Sequence, residues 1–93
     1  MIKVNEYFNG NVKSLGLTAG NGPATVGVIA PGEYEFGTST KEIMSIVSGS
    51  LDVQLPGPAS WKTYGSGTTF EVESGTKFRV KAAADVAYLC RYL

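Results

Sequence analysis

Phe70-Glu71-Val72-Glu73-Ser74-Gly75-Thr76-Lys77-Phe78-Arg79-Val80-Lys81 alternates apolar and charged residues on both sides of a Ser74-Gly75 turn. A period of two is that of a β-strand, whose successive side chains point to opposite faces. Phe70, Val72, Phe78 and Val80 therefore belong to a buried face, and Glu71, Glu73, Lys77, Arg79 and Lys81 to solvent. The rest of the chain has the same grain: short runs rich in Val, Ile, Thr, Tyr and Phe, each closed by a turn signal. Twelve Gly and four Pro supply the punctuation, and no stretch carries the i, i+3, i+4, i+7 spacing of an amphipathic helix. An all-β fold is predicted, with strands over 3–8, 12–17, 25–30, 32–36, 43–48, 50–55, 68–72, 77–81 and 86–92 and a short extra one over 61–64. Asn9-Gly10-Asn11 predicts a turn, Ala19-Gly20-Asn21-Gly22-Pro23 a surface loop, and 56–60 a further loop. Ser48-Gly49-Ser50 predicts a tight hairpin pairing the strands on either side of it. The run Ile43-Met44-Ser45-Ile46-Val47 is apolar on both faces, so cover is expected on both sides, the second from another copy of the chain in a homodimer.

Ninety-three residues suffice for one modest core, hence a single domain over 1–93. Eight basic residues balance eight acidic ones and only 17% of the chain is charged. No surplus charge exists for a phosphate backbone or an anionic bilayer, so neither nucleic acid nor membrane is an expected partner. The chain has no histidine, which removes Ser-His and Cys-His nucleophile pairs and the histidine-containing zinc and iron sites. Its lone Cys90 excludes an internal disulfide, a CxxC pair and a cysteine-rich metal centre. No metal and no cofactor is expected. The first residues lack an apolar leader segment and no run approaches the length of a transmembrane helix, so a cytoplasmic protein is expected.

Spacing in the middle of the chain resembles the two motifs of the cupin barrel. Glu42 stands where that fold keeps a metal-ligating glutamate, and Gly49 follows at the cupin interval. Gly67, Glu73, Gly75 and Phe78 fall at the positions of the second motif, with Glu73 in the place of its proline and Phe78 in the place of its metal-binding histidine. The resemblance implies a cupin-type jelly-roll barrel without its metal.

Over nearly its whole length the chain also resembles the pyrimidine/purine nucleoside phosphorylase family. The matching segments are Asn5-Glu6-Tyr7-Phe8 with Gly10, Val12-Lys13-Ser14 with Gly16, Val26-Gly27-Val28, Gly32-Glu33-Tyr34 with Phe36, Glu42 with Met44, Ser48-Gly49, Leu55-Pro56, Trp61 and Tyr88-Leu89-Cys90-Arg91-Tyr92-Leu93. The resemblance implies phosphorolysis: orthophosphate displaces the base from C1′ of a purine or pyrimidine nucleoside. A barrel that binds a sugar or nucleotide without turning it over is the alternative, distinguished by whether nucleoside is consumed only with phosphate present.

Phosphate arrives already charged, so it needs positioning by cations and N–H groups and not a histidine base. Arg91, in the otherwise apolar run 88–93, is a candidate to hold it bidentately, against a structural ion pair with a carboxylate. Lys13 with Ser14 is a second candidate, against an ordinary solvated lysine. Glu42, expected inside the barrel near its mouth with Met44 on the same face, could accept ribose hydroxyls and stabilise the cationic sugar. The competing reading is a strand start in solvent for Glu42 and core packing for Met44. Aromatic rings suit a site that takes every base, since every base has a π face. Tyr34 and Phe36 are favoured because they share a face where the cupin histidine pair would sit, and Phe78 is a further candidate; core packing competes for each. Arg79 is expected on the surface and Cys90 as a buried, inert thiol.

Overall fold

The structure is a computed structural model describing residues 1–57 and 60–93. Among these residues the strands are β1 (Val4–Tyr7), β2 (Val12–Ala19), β3 (Gly22–Ile29), β4 (Gly32–Gly37), β5 (Glu42–Ser48), β6 (Ser50–Gln54), β7 (Lys62–Gly65), β8 (Thr69–Val72), β9 (Lys77–Ala82) and β10 (Val86–Tyr92). A 3-10 turn, Phe8–Gly10, separates the first two. The strands pair antiparallel and make two sheets, β1-β2-β3-β10-β5-β8 and β4-β9-β6-β7. The sheets face each other as an all-β jelly roll.

Two connections differ from expectation. Residues 19–23 are not a loop: β2 and β3 pair through to Ala19↔Gly22, leaving Gly20-Asn21 as a two-residue turn, the length that best matches strand twist. Gly49 does not close a hairpin. β5 lies in the six-stranded sheet and β6 in the four-stranded one, so Ser48-Gly49-Ser50 is a corner where the chain changes sheets. Gly49 has φ +86°, and a Cβ there would lie 2.8 Å from the Asp85 carbonyl oxygen, so the corner needs glycine both for its conformation and for the close approach. The extra strand expected over 61–64 is present as β7. Of the loop expected at 56–60, positions 58 and 59 lie outside the described residues.

The core between the sheets is built from alternate residues of nearly every strand. Val12, Ile29, Ile46, Leu51, Val53, Val72, Val80 and Val86 are sealed from solvent, each worth about 1.5–3 kcal/mol relative to exposure. The opening alternation is realised, with Phe70, Val72, Phe78 and Val80 buried and Glu71, Lys77, Arg79 and Lys81 outside. Arg79 and Lys81 reach Glu33 at 3.1 and 3.8 Å, and Lys81 lies 4.1 Å from the centre of the Trp61 ring. Exposed contacts of this kind add little stability.

The two sheets differ on their outer faces. Where the four-stranded sheet carries charges, the six-stranded sheet carries a row Val4↔Leu15↔Val26↔Leu89 across four strands. Val4, Leu15, Leu17, Val26, Val28 and Val47 are 44–63% exposed. Met44 and Ile46 of β5 face inward and are buried, but Val47 on its other face is uncovered within the single chain.

Candidate active site

Between the sheets, towards one end, lies a cavity of about 340 Å³, within the range of small-molecule sites. Its two walls differ because they come from different sheets. The six-stranded sheet contributes Ser14, Glu42, Met44, Tyr88, Cys90 and Tyr92; the four-stranded sheet contributes Glu35, Phe36, Phe78 and Val80. Tyr7 and Phe8, at the end of β1, complete the rim.

The polar wall is set by register. β10 pairs with β5 as Tyr92↔Glu42 and Cys90↔Met44, and directly opposed residues share a face. The Cys90 thiol donates to Glu42 Oε1 at 3.4 Å. Burial pushes the Glu42 carboxyl above its ordinary value, and the thiol's hydrogen bond offsets part of that push. Cys90 rises to about 12, chiefly through burial and then through the Glu42 charge, so it is held as an un-ionised thiol. The Tyr88 hydroxyl is likewise raised to about 12, mainly by burial, with a hydrogen bond to Ser14 acting the other way. Burial raises Tyr92 as well, and its hydroxyl lies 3.0 Å from that of Thr25. Asn5 Nδ2 donates to Ser14 Oγ at 3.2 Å. At neutral pH this wall thus offers neutral hydroxyls and a thiol around one carboxyl. Tyr88 can lie flat here only because Gly27 opposes it: a Cβ at 27 would stand 2.5 Å from the tyrosine ring.

The structure brings Ser14, Phe36, Glu42, Met44 and Phe78 together at the cavity. Three other candidates lie elsewhere. Arg91 sits between Cys90 and Tyr92, both cavity residues, so strand alternation sends it to the outer face, beside Ala24 and Ile43. Its Nε is buried there with no hydrogen-bond partner among the described residues. Lys13 is exposed on the outer face opposite Glu6. Tyr34 shares the inward face of Phe36 as expected but is buried outside the cavity lining, its hydroxyl donating to the carbonyls of Ala30 and Pro31 at 2.9 and 3.1 Å. Sequence reasoning overlooked Tyr7, Phe8, Glu35 and Tyr88 as lining residues. Alternation along 88–92 was signal enough for Tyr88; Phe8 depends on a backbone reversal at 8–10 that strand alternation does not announce.

In metal-dependent cupins the barrel interior supplies histidines beside the glutamate. Here Phe78 occupies that motif position and Glu42 has a thiol and phenols for neighbours, a donor set that does not fit a resident metal ion. Among the described residues no three His, Cys, Asp or Glu side chains cluster to hold one.

A family model described as pyrimidine/purine nucleoside phosphorylase matches residues 2–92. The chain belongs to this family. A relative from Pseudomonas putida (strain W619), named pyrimidine/purine nucleoside phosphorylase, is 58% identical over 92 residues, covering 99% of this chain and 98% of its own. One of the same name from Tolumonas auensis is 54% identical with 99% of each chain covered. A crystal structure of a protein of unknown function from Vibrio parahaemolyticus superposes with TM-score 0.96 at 47% identity, covering 100% of this chain and 99% of that one. An RmlC-like cupin from Shewanella frigidimarina superposes with TM-score 0.73 at 15% identity over 96% of this chain and 80% of that one, a likeness of fold alone. The cupin architecture implied by the motif spacing is thereby confirmed.

Proposed function

We propose that the cavity is a phosphorolytic active site acting on purine and pyrimidine nucleosides. A phosphate oxygen bonds to C1′ as the C1′–N bond breaks, the bonding pair leaves with the base, and a proton carried in by dihydrogen phosphate neutralises the base nitrogen. The products are free base and a pentose 1-phosphate. One observation carries this beyond family membership: an apolar cavity of nucleoside scale holds a partly buried carboxyl, Glu42, on its polar wall. Charge at that point favours a sugar that turns cationic as the bond breaks, and on a half-buried carboxyl it is worth more than in bulk solvent. Ser14, Tyr88 and Tyr92 supply hydroxyls for the sugar and the incoming phosphate.

A wider hollow lined by Lys3, Asn5, Thr18 and Thr25 adjoins the cavity and shares Tyr7 and Tyr92 with it. Among the described residues no lysine or arginine lines the cavity itself, so positive charge for phosphate comes from its margins: Lys3 on this side, and Lys77 and Arg79 in a hollow that shares Glu35 and Phe78 with the cavity. Non-catalytic binding has no observation in its favour. The test is base release from uridine and inosine with and without orthophosphate: release at full rate without phosphate overturns the reading.

The protein also forms a homodimer in this reading. The outer face of the six-stranded sheet carries an apolar band from Val4 to Val47, with Lys13 and Arg91 beside it. Patches of this kind are covered in solution, and a two-fold pairing lets one face cover its copy. Among the described residues no helix is long and apolar enough to cross a membrane, and a free cysteine without a disulfide partner suits the cytoplasm.

A further inference from the structure

Tyr7 is the last residue of β1 and points inward, as Asn5 does two residues earlier. Continued alternation would send Phe8 to the outer face. It does not, because Phe8 and Asn9 adopt left-handed backbone conformations at φ +52° and +56°, followed by Gly10 at +87°. Asparagine and glycine tolerate this region, but a phenylalanine there carries steric strain. The reversal is pinned: the backbone N–H and side-chain Nδ2 of Asn11 both donate to the Phe8 carbonyl, at 3.2 and 3.0 Å, and Ala30 N–H donates to the Asn11 carbonyl at 2.8 Å. The strained turn swings the Phe8 ring back over the cavity rim, 5.0 Å from the Tyr34 ring centre and 5.5 Å from that of Phe36. Tyr7 meets Phe36 edge-on at 6.5 Å, and Phe36 stacks on Phe78 at 5.7 Å.

Despite these contacts Tyr7 and Phe8 remain 45% and 42% exposed. A strained backbone that holds rings half in solvent gains little from core burial, and strain of this kind gathers at ligand clamps. We infer that Tyr7 and Phe8 form an aromatic lip that stacks the planar base of the nucleoside against the Phe36–Phe78 wall, leaving the sugar to the Glu42 wall. This rests on the phosphorolytic reading and adds to it the part that recognises the base. Stacking uses the π face, which purines and pyrimidines share, and ignores the hydrogen-bonding edge in which they differ. The lip therefore accepts both classes.

The experiment has a kinetic arm and a binding arm. Phe8→Leu should raise KM for inosine and for uridine together, roughly 5- to 150-fold, the range of one lost base stack, with phosphate KM unmoved and melting temperature retained. Phe8→Tyr, which keeps the ring, should restore KM. For binding, Phe8→Trp is placed in a Trp61→Phe background, Trp61 lying away from the cavity against Lys81. Adenine and uracil should each quench its fluorescence, and ribose 1-phosphate should not. Unchanged nucleoside KM in Phe8→Leu, or no quenching by either base, overturns the lip while phosphate-dependent cleavage still stands. Quenching by both bases without phosphate-dependent cleavage in the wild type supports the lip and overturns phosphorolysis alone.

Discussion

The two faces of the six-stranded sheet are made by the same strands and differ only in which alternate residues they show. Inward stand Ser14, Glu42, Met44, Tyr88, Cys90 and Tyr92, backed by a second sheet across a cavity. Outward stand Val4, Leu15, Val26, Val28 and Val47, left uncovered by the other described residues of the single chain, beside a half-buried Arg91. Arg91 and Tyr92 are adjacent in sequence, yet one stands on the outer face and the other pairs with Glu42 at the cavity. A strand thus separates two faces at single-residue resolution, and under the proposed function variants on either face should have separable effects.

The largest expected effect breaks the outer face. Val26 lies mid-sheet between Leu15 and Leu89, and Val26→Asp removes an apolar contact twice in a two-fold dimer. At about 1.5–3 kcal/mol per buried side chain, the dissociation constant should rise by about 10²- to 10⁴-fold. Light scattering should show the wild type at twice the chain mass and the variant at one. A wild type that is monomeric at micromolar concentration removes the dimer from the comparison.

On the inner face, Glu42→Gln keeps the shape and deletes the charge. It should lower kcat by about 10²-fold, the scale of one lost preorganised electrostatic contact, with nucleoside KM less affected. In the proposed mechanism the carboxylate is the working form, and burial raises its pKa. The acid limb of kcat should therefore lie above the ordinary carboxylate range and vanish in the variant. Linkage has its own sign here. A carboxyl raised in the folded state stabilises least once pH passes its folded pKa, so Glu42→Gln should melt slightly higher than wild type at neutral pH and match it in acid below the unfolded value. Equal melting across the range would mean the carboxyl is as well solvated folded as unfolded.

The smallest expected effect sharpens the comparison at the strand they share. Arg91→Ala should leave the phosphate KM within about threefold of wild type, since loss of a direct charge-assisted bond would shift it about tenfold or more. Gel filtration of the same variant should show weaker association, because Arg91 lies in the outer face with its Nε unpaired among the described residues. If phosphate KM instead climbs by about an order of magnitude, the size of a lost charge-assisted bond, Arg91 returns to the active site.

Period-two alternation fixes local faces, and that is why so much was legible. The strands over 77–81 and 86–92, the inward set of Phe70, Val72, Phe78 and Val80, and the position of Glu42 beside Met44 all follow from neighbours in the chain. Composition excluded histidine chemistry outright. Motif spacing carried Glu42 and Phe78 to the cavity because cupin intervals encode where the chain turns, and turns depend on local glycine chemistry.

Other features depended on contacts between residues distant in sequence. Gly49 marks a reversal in either reading, and only the partners of β5 and β6 make it a corner between sheets and not a hairpin. Arg91 stands out as a lone cation in an apolar run, but its face is decided by the Tyr92↔Glu42 register. Gly27 reads as a weak point in a strand until the ring of Tyr88, sixty-one positions along the chain, is laid over it. Phe8 reads as the next inert step of β1; the left-handed turn that aims it at Phe36 is held by a hydrogen bond from Ala30, beyond two further strands. Sequence alone determined the all-β character, the absence of imidazole and the side of each strand that is apolar, since these depend on residue type and a fixed two-residue repeat. The tertiary structure decided which apolar side encloses a cavity and which lies open, since that depends on which strand pairs with which.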